Sequence, residues 1–224
     1  ELKPHVFGVL LDSFMLKQAD YLNVDFAPAK SLFYFPSDGG GSLKDGKLIK
    51  AVGCRLPHTC EQIIKKFDVS VAMARFAQVQ AKEMYGLDVP YIPHAVEPEV
   101  YKPLSEQEKI ILRKKWNLEG KFVIGCVARN QGRKMLDRTI QAMKLIAEKI
   151  PNAVLLLHTD PIDPAAYFDM PLLINELNLN NRVRFTGTRY FKGFDYRQMN
   201  EVYNLMDVFV LGTSGEGFGI PIIE

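Results

Sequence analysis

Three cations crowd one short stretch of the chain, Arg129-Asn130-Gln131-Gly132-Arg133-Lys134. A second stretch, Gly212-Thr213-Ser214-Gly215-Glu216-Gly217-Phe218-Gly219, is glycine-rich and leads into Pro221. Each reads as a loop between a strand and a helix start, where free amides and the positive end of the helix dipole favour an anion. Cations at such a place oppose the dipole unless an anion joins them, so Arg129, Arg133 and Lys134 read as a phosphate site rather than a solvated cluster. Three cations beside two helix starts suit a diphosphate better than a carboxylate. Gly215, Gly217 and Gly219 alternate with Glu216 and Phe218, a costly composition for a plain turn and a suitable one for bringing backbone amides close to a ligand. Glu216 and Glu224 stand eight positions apart. A carboxylate accepts paired hydrogen bonds from neighbouring hydroxyls and repels a bare phosphate. Carboxylates and cations together therefore favour a ligand with an anionic part and a hydroxyl-bearing part.

The elements that must position these loops follow from periodicity. Strands are expected at 122–128, 153–158, 182–186 and 208–211, and helices at 134–149, 171–177 and 198–206. Ser105 and Glu108 form a capping-box pattern that opens a helix running to about Trp116. Alternation of strand and helix is the pattern of a parallel sheet covered on both faces. In such sheets ligands bind beyond the carboxyl ends of the strands, where strand order reverses. With a 3-2-1-4 order, the loops after the first and fourth strands, those carrying the cations and the glycines, become neighbours. The first hundred residues are less regular. Strands are expected at 6–11, 31–35, 69–73 and 91–93, a loop at 37–42, and a short helix from Thr59, with Gln62 completing a capping box, to Lys66. A further helix is expected over 75–85 with Gly86 as its stop. Residues 97–104, with Pro98 and Pro103, have the composition of an interdomain linker. The chain starts at Glu1 and ends in the apolar run Ile220–Ile223, which read as cuts through folded domains; a fragment is expected.

Composition excludes much. The 224 residues are 47% hydrophobic and 24% charged, which rules out disorder and low-complexity readings. A net charge of +2 gives little attraction for nucleic acid. No apolar run approaches the roughly 18 residues of a membrane span. Cys54, Cys60 and Cys126 are odd in number and form no CxxC pair, so a disulfide framework or zinc site is not expected, and a reducing compartment fits. His158 and Asp160, at the end of a strand, read equally as ligand-side residues or as a satisfied turn. His94 reads as ordering the junction between the halves, and His58 as belonging to a helix-start turn or the surface.

Glu216-Gly-Phe-Gly-Ile-Pro-Ile-Ile-Glu224 resembles the E-x7-E signature of retaining glycosyltransferases with the GT-B fold, family 4 (group 1) type. Tyr91-Ile-Pro-His-Ala-Val-Glu97 with Tyr101-Lys-Pro103 looks like that family's domain junction, and Gly125-Cys-Val-Ala-Arg129 through Arg133 and Lys134 like its phosphate-binding loop. Asn204-Leu-Met-Asp207 also matches. The resemblance runs from about Phe67 to Glu224. It implies an α/β GT-B architecture of two Rossmann-like domains facing a cleft, here incomplete at both ends. Residues 1–97 would be the end of the acceptor-side domain and 98–224 the donor domain.

The activity implied is transfer of a sugar, with retention, from a nucleotide-diphosphate donor, UDP- or GDP-sugar, to a glycan, lipid-linked saccharide or small metabolite. Arg129 and Lys134 would hold the diphosphate and stabilise the leaving group, with Arg133 beside them. Glu224 would bind the ribose. Glu216 would hold the donor sugar with Ser214, Gly215 and the amides of Gly217, Phe218 and Gly219. Relatives carry a histidine after a first-domain strand; Asp38 is the candidate for that place here, beside its plainer reading as a turn former. No metal or cofactor is implied. The location would be cytoplasmic, compatible with peripheral association at the inner membrane face. A nucleotide-sugar epimerase of the same fold and a noncatalytic nucleotide-sugar-binding subunit are the alternatives.

Overall fold

A computed structural model describes residues 4–11, 16, 23–37, 41–44, 47–50, 57–189 and 191–224. The chain divides into two compact units, Glu1–Ala95 with Gly215–Gly219, and Val96–Ser214 with Ile220–Glu224.

The first unit contains strands β1 (Val6–Leu10), β2 (Lys30–Phe35), β3 (Gly41–Lys44) and β4 (Lys47–Lys50), helix α1 (Pro57–Lys66), strand β5 (Val69–Ala72) and helix α2 (Arg75–Tyr85). Strands β1, β2 and β5 form a parallel sheet in that order, and β3 and β4 an antiparallel pair. Alternation along β2 sends Ser31, Phe33 and Phe35 inward. Phe33 stacks on Phe35 and on Phe67, and the stack continues through Phe26 to Phe7, with centroids 5.0–5.4 Å apart. Helix α2 ends as expected. Gly86, at φ 70°, donates to the Lys82 carbonyl while Leu87 donates to that of Ala81, a left-handed closure that a Cβ at Gly86 would strain.

Three expectations for this unit need correction. Gly41 and Ser42 are strand rather than loop, because pairing with Ile49 and Lys50 satisfies their backbone. Helix α1 begins at Pro57, two residues before Thr59, since proline at the first helical position forgoes no helix hydrogen bond. Segment 91–93 contributes only a single bridge, Tyr91 to Ala72, not a strand. Asp38 and Cys54 lie outside the described residues.

The second unit runs through helix α3 (Glu106–Lys115), strand β6 (Phe122–Val127), a 3-10 turn (Gly132–Lys134), helix α4 (Leu136–Lys149), strand β7 (Ala153–His158), helix α5 (Met170–Glu176), strand β8 (Val183–Phe185), helix α6 (Tyr196–Asn204), strand β9 (Val208–Phe209) and a final turn of helix, α7 (Ile220–Ile223). Its four strands are parallel in the order β8-β7-β6-β9, the expected 3-2-1-4 arrangement. Successive residues of the central strands point to opposite faces, and both faces are covered. Ile124, Cys126, Leu155 and Leu157 pack with Leu136, Ile140 and Met143 of α4. Val123, Val154 and Leu156 pack with Leu112 of α3, Leu118 and Leu205.

The capping box at Ser105 forms as expected: Glu108 N–H donates to Ser105 Oγ at 3.3 Å and Ser105 N–H to Glu108 Oε2 at 2.8 Å. Asp207 pins the weak edge of the sheet. Its carboxylate accepts from Val123 N–H at 2.7 Å and from Arg113 Nη2 at 2.7 Å, and its own N–H donates to Val123 O at 2.8 Å. Asn204 ties residues 102–104 to α6 by accepting from Leu104 N–H at 2.8 Å and donating to Lys102 O at 3.0 Å. Both residues of the Asn204–Asp207 motif thus have structural work. The fourth strand is shorter than expected, Val208–Phe209 instead of 208–211, because only two residues pair with β6.

Candidate nucleotide site

The carboxyl ends of β6, β7 and β8 open on a cavity of about 450 Å³, lined among others by Arg129, Arg133, Lys134, His158, Thr159, Asp160, Asp163, Thr188, Arg189 and Pro221. It lies at the carboxyl edge of the sheet, toward β7 and β8 from the β6–β9 reversal where the sequence placed a crevice. The three cations of the first loop are all on its wall. The local structure beneath them differs from expectation. Helix α4 starts at Leu136, after Met135 in the left-handed region (φ 48°), so the cations occupy the loop and the 3-10 turn ahead of the helix. The first turn of α4 holds Asp137 instead, the sign that complements the dipole. A Cβ on Gly132 would lie a tight 3.1 Å from the exposed Tyr167 ring, which would have to shift to admit it.

The loops after the first and fourth strands are joined. The Arg133 carbonyl accepts from Ser214 N–H at 2.8 Å and from the hydroxyls of Thr213 at 3.0 Å and Ser214 at 3.2 Å.

The loop after β7 contributes two buried carboxylates, each paired with an arginine of the wall. Asp163 takes Arg129 in a fork, Nε to Oδ2 at 2.6 Å and Nη2 to Oδ1 at 3.1 Å, and also accepts from Ala165 N–H at 2.9 Å. Hydrogen bonding from Arg129 holds the Asp163 carboxyl below the usual carboxylate range. Asp160 accepts from Arg189 Nη1 at 3.3 Å and from Ile162 N–H at 3.1 Å. His158 Nδ1 lies 2.8 Å from Thr186 Oγ1, and its ring meets Phe194 edge-on at 5.0 Å. Burial pushes its pKa down to about 4, so the ring is neutral near pH 7. Thr159 Oγ1 and, on the neighbouring loop, Asn130 Oδ1 are buried without a hydrogen-bond partner. Thr159 is among the residues that line the cavity, while its hydroxyl oxygen is itself shut off from solvent.

Sequence reasoning reached Arg129, Arg133, Lys134, His158 and Asp160. It missed Thr159, Asp163, Thr188 and Arg189. The available signal was position, since Thr159 follows the end of β7 and Arg189 lies just past β8.

Glu216, Gly217, Phe218 and Gly219 belong to the first unit with Gly215. There Phe218 meets His94 edge-on at 5.2 Å, and His94 Nδ1 is 3.4 Å from Tyr34 Oη, which donates to Ile92 O at 2.8 Å. Gly219, at φ 84°, is the glycine of this loop whose backbone requires one. Glu224 follows α7 and lines a second cavity of about 290 Å³ with Tyr101, Lys102, Asn200 and Tyr203. Tyr203 donates to Glu224 Oε2 at 2.5 Å. Burial first, then that bond, raises the Tyr203 pKa well above the usual phenol range. Glu224 is therefore not on the wall that carries Arg129 and Lys134. Among the described residues, no group of three or more His, Cys, Asp or Glu side chains could hold a metal ion, and no helix is long and apolar enough to cross a membrane.

A parallel, doubly covered sheet with a cavity at its carboxyl edge defines the class of open α/β sheet domains. Within that class the chain belongs to the family described as glycosyl transferases group 1, whose model matches residues 108–224, just over half of the chain. Over 152 residues it is 28% identical to mannosylfructose-phosphate synthase of Agrobacterium fabrum, covering 63% of this chain and 32% of that protein. Anabaena HepE, solved in complex with UDP-glucose, superposes with a TM-score of 0.67 at 15% identity, over 96% of this chain and 56% of HepE. Staphylococcus aureus TarM, solved with UDP among its ligands, gives a TM-score of 0.64 at 12% identity, over 96% of this chain and 38% of TarM. The chain spans about a third of the curated relative and about half or less of these two structures. The fold is that of GT-B glycosyltransferases, α/β with parallel sheets.

Proposed function

We propose that this chain is the nucleotide-sugar-handling part of a retaining glycosyltransferase, using a UDP- or GDP-sugar donor and a saccharide, lipid-linked or small-metabolite acceptor. The observation that carries the reading is the 450 Å³ cavity at the carboxyl ends of β6, β7 and β8, with Arg129, Arg133 and Lys134 on its wall. Membership of the group 1 family and the UDP-glucose found in HepE support it.

Arg129 and Lys134 hold the donor diphosphate and offset the charge that grows on it as the glycosidic bond breaks, with Arg133 beside them. Fixed cations in a partly closed cavity do this without a metal ion. Neutral His158 adds an uncharged polar surface to the wall. Glu216, with Ser214, Gly215, Gly217, Phe218 and Gly219, serves the donor sugar, and Glu224 the ribose hydroxyls. Glu224 accepts from Tyr203 here, and a carboxylate keeps acceptor capacity for further hydroxyl donors. The setting is the cytoplasm, with the membrane face as one source of acceptor.

The test is to incubate the protein with UDP- and GDP-sugars and candidate acceptors, following nucleotide release and the anomeric configuration of the product. Acceptor-dependent release with retention is expected. Release with an altered free sugar and no acceptor requirement would indicate an epimerase. Binding without turnover in any acceptor would leave a nucleotide-sugar-binding module in its place.

A further inference from the structure

We propose that Asp163 is a positioning residue that presets Arg129 for the donor diphosphate. This rests on the reading of the β6–β7–β8 cavity as the nucleotide site. Arg129 projects from the loop after β6, and its side chain remains 38% exposed although it lines the cavity. A long side chain at such an exposure ordinarily samples many rotamers, and ordering it on binding opposes affinity. Asp163 removes that freedom in advance. Its side chain is 2% exposed, and Ala165 N–H fixes Oδ1 from within the same loop. The carboxylate grips both Nε and Nη2, so the plane of the guanidinium, and not only its charge, is set.

The neighbouring geometry favours this over a simple staple of the loop. The loop is already closed on itself and on the β6 side by other bonds: Ile162 N–H to Asp160 Oδ1, Ala166 N–H to Asp163 O, and Tyr167 N–H to Asn130 O. Asp160 likewise accepts from Arg189, another residue of the wall, by a single bond at 3.3 Å. One loop thus carries two buried carboxylates, each directed at an arginine of the wall. A staple needs neither the fork nor the second pairing.

A double-mutant cycle separates positioning from stapling. UDP and GDP are titrated calorimetrically into the protein and into its Asp163→Asn, Arg129→Gln and doubly substituted forms, with melting temperatures read in parallel. Asp163→Asn keeps one acceptor but loses the ionic fork, and is expected to weaken the bound nucleotide about tenfold, as is Arg129→Gln. In the Arg129→Gln background, Asp163→Asn should change affinity by less than about twofold. If Asp163→Asn weakens binding equally in both backgrounds, or lowers only the melting temperature, the positioning role is overturned. Should the Asn variant fail to fold, Asp163→Glu takes its place: it keeps the charge but displaces the guanidinium, and unchanged affinity would overturn the proposal. Absence of UDP and GDP binding by the unsubstituted protein would instead overturn the nucleotide-site reading itself.

Discussion

His158 closes β7 with its ring against Phe194 and its Nδ1 on Thr186, and burial lowers its pKa from 6.5 to about 4. Because the folded value is the lower one, the unfolded chain takes up the proton first as pH falls. The stability due to neutral His158 is complete above about pH 6.5 and is lost progressively toward pH 4. The full loss is about 3 kcal/mol at most. Urea unfolding at pH 5 and pH 7 should show this limb, and His158→Gln should flatten it. Lys134, half-buried on the cavity wall, gives a second residue-scale expectation. Lys134→Ala should weaken UDP or GDP binding about tenfold and move the melting temperature by less than about 2 °C, as surface substitutions do. Cations were legible in the sequence because their type announces them. Asp163 was not: in Asp160-Pro-Ile-Asp163 it reads as a turn former, and only the folded chain shows it buried against Arg129.

At the scale of elements, capping chemistry was the most readable signal. Helix α2 lies at its expected bounds, and α3 opens at the expected Ser105 box. Helix α6 starts at Tyr196 rather than Gln198 because Asp195 and Gln198 form a further box, with Gln198 N–H donating to Asp195 Oδ1 at 2.8 Å. Asp195→Ala should therefore destabilise the second unit by about 1 kcal/mol in denaturant unfolding. The start of α4 was misplaced because periodicity cannot see the left-handed Met135 that separates turn from helix. Gly125, in the middle of β6, was read as part of a strand and as the start of the segment resembling a phosphate-binding loop, not as a packing position. A Cβ there would overlap the Met206 thioether, which flanks Asp207 before β9. The Met206 end is flexible, so Gly125→Ala should destabilise by about 1–3 kcal/mol, and Met206→Ala in the same chain should return part of it.

At the scale of the whole molecule, the alternation of strand and helix pointed to a parallel sheet, and the common 3-2-1-4 order, assumed and not read from particular residues, matches the strand order β8-β7-β6-β9. The grouping of Gly215–Gly219 with the first unit did not follow, since sequence proximity to Ser214 and Ile220 ties that loop to the second. The placement of Glu224 beside Tyr203 was likewise hidden, because both tyrosine and glutamate are compatible with many neighbours. If the second unit holds the nucleotide, UDP or GDP at about one hundred times its dissociation constant should add about 2.7 kcal/mol to the stability of the chain.

Hydrogen exchange with and without saturating UDP or GDP tests the central claim most directly, because it locates the ligand. Protection is predicted in the amides of 128–134 and 159–166 and at Thr188 and Arg189, the segments that wall the cavity. Binding with protection confined to the segments around Tyr101 and Tyr203, or no protection at 128–134, would contradict it.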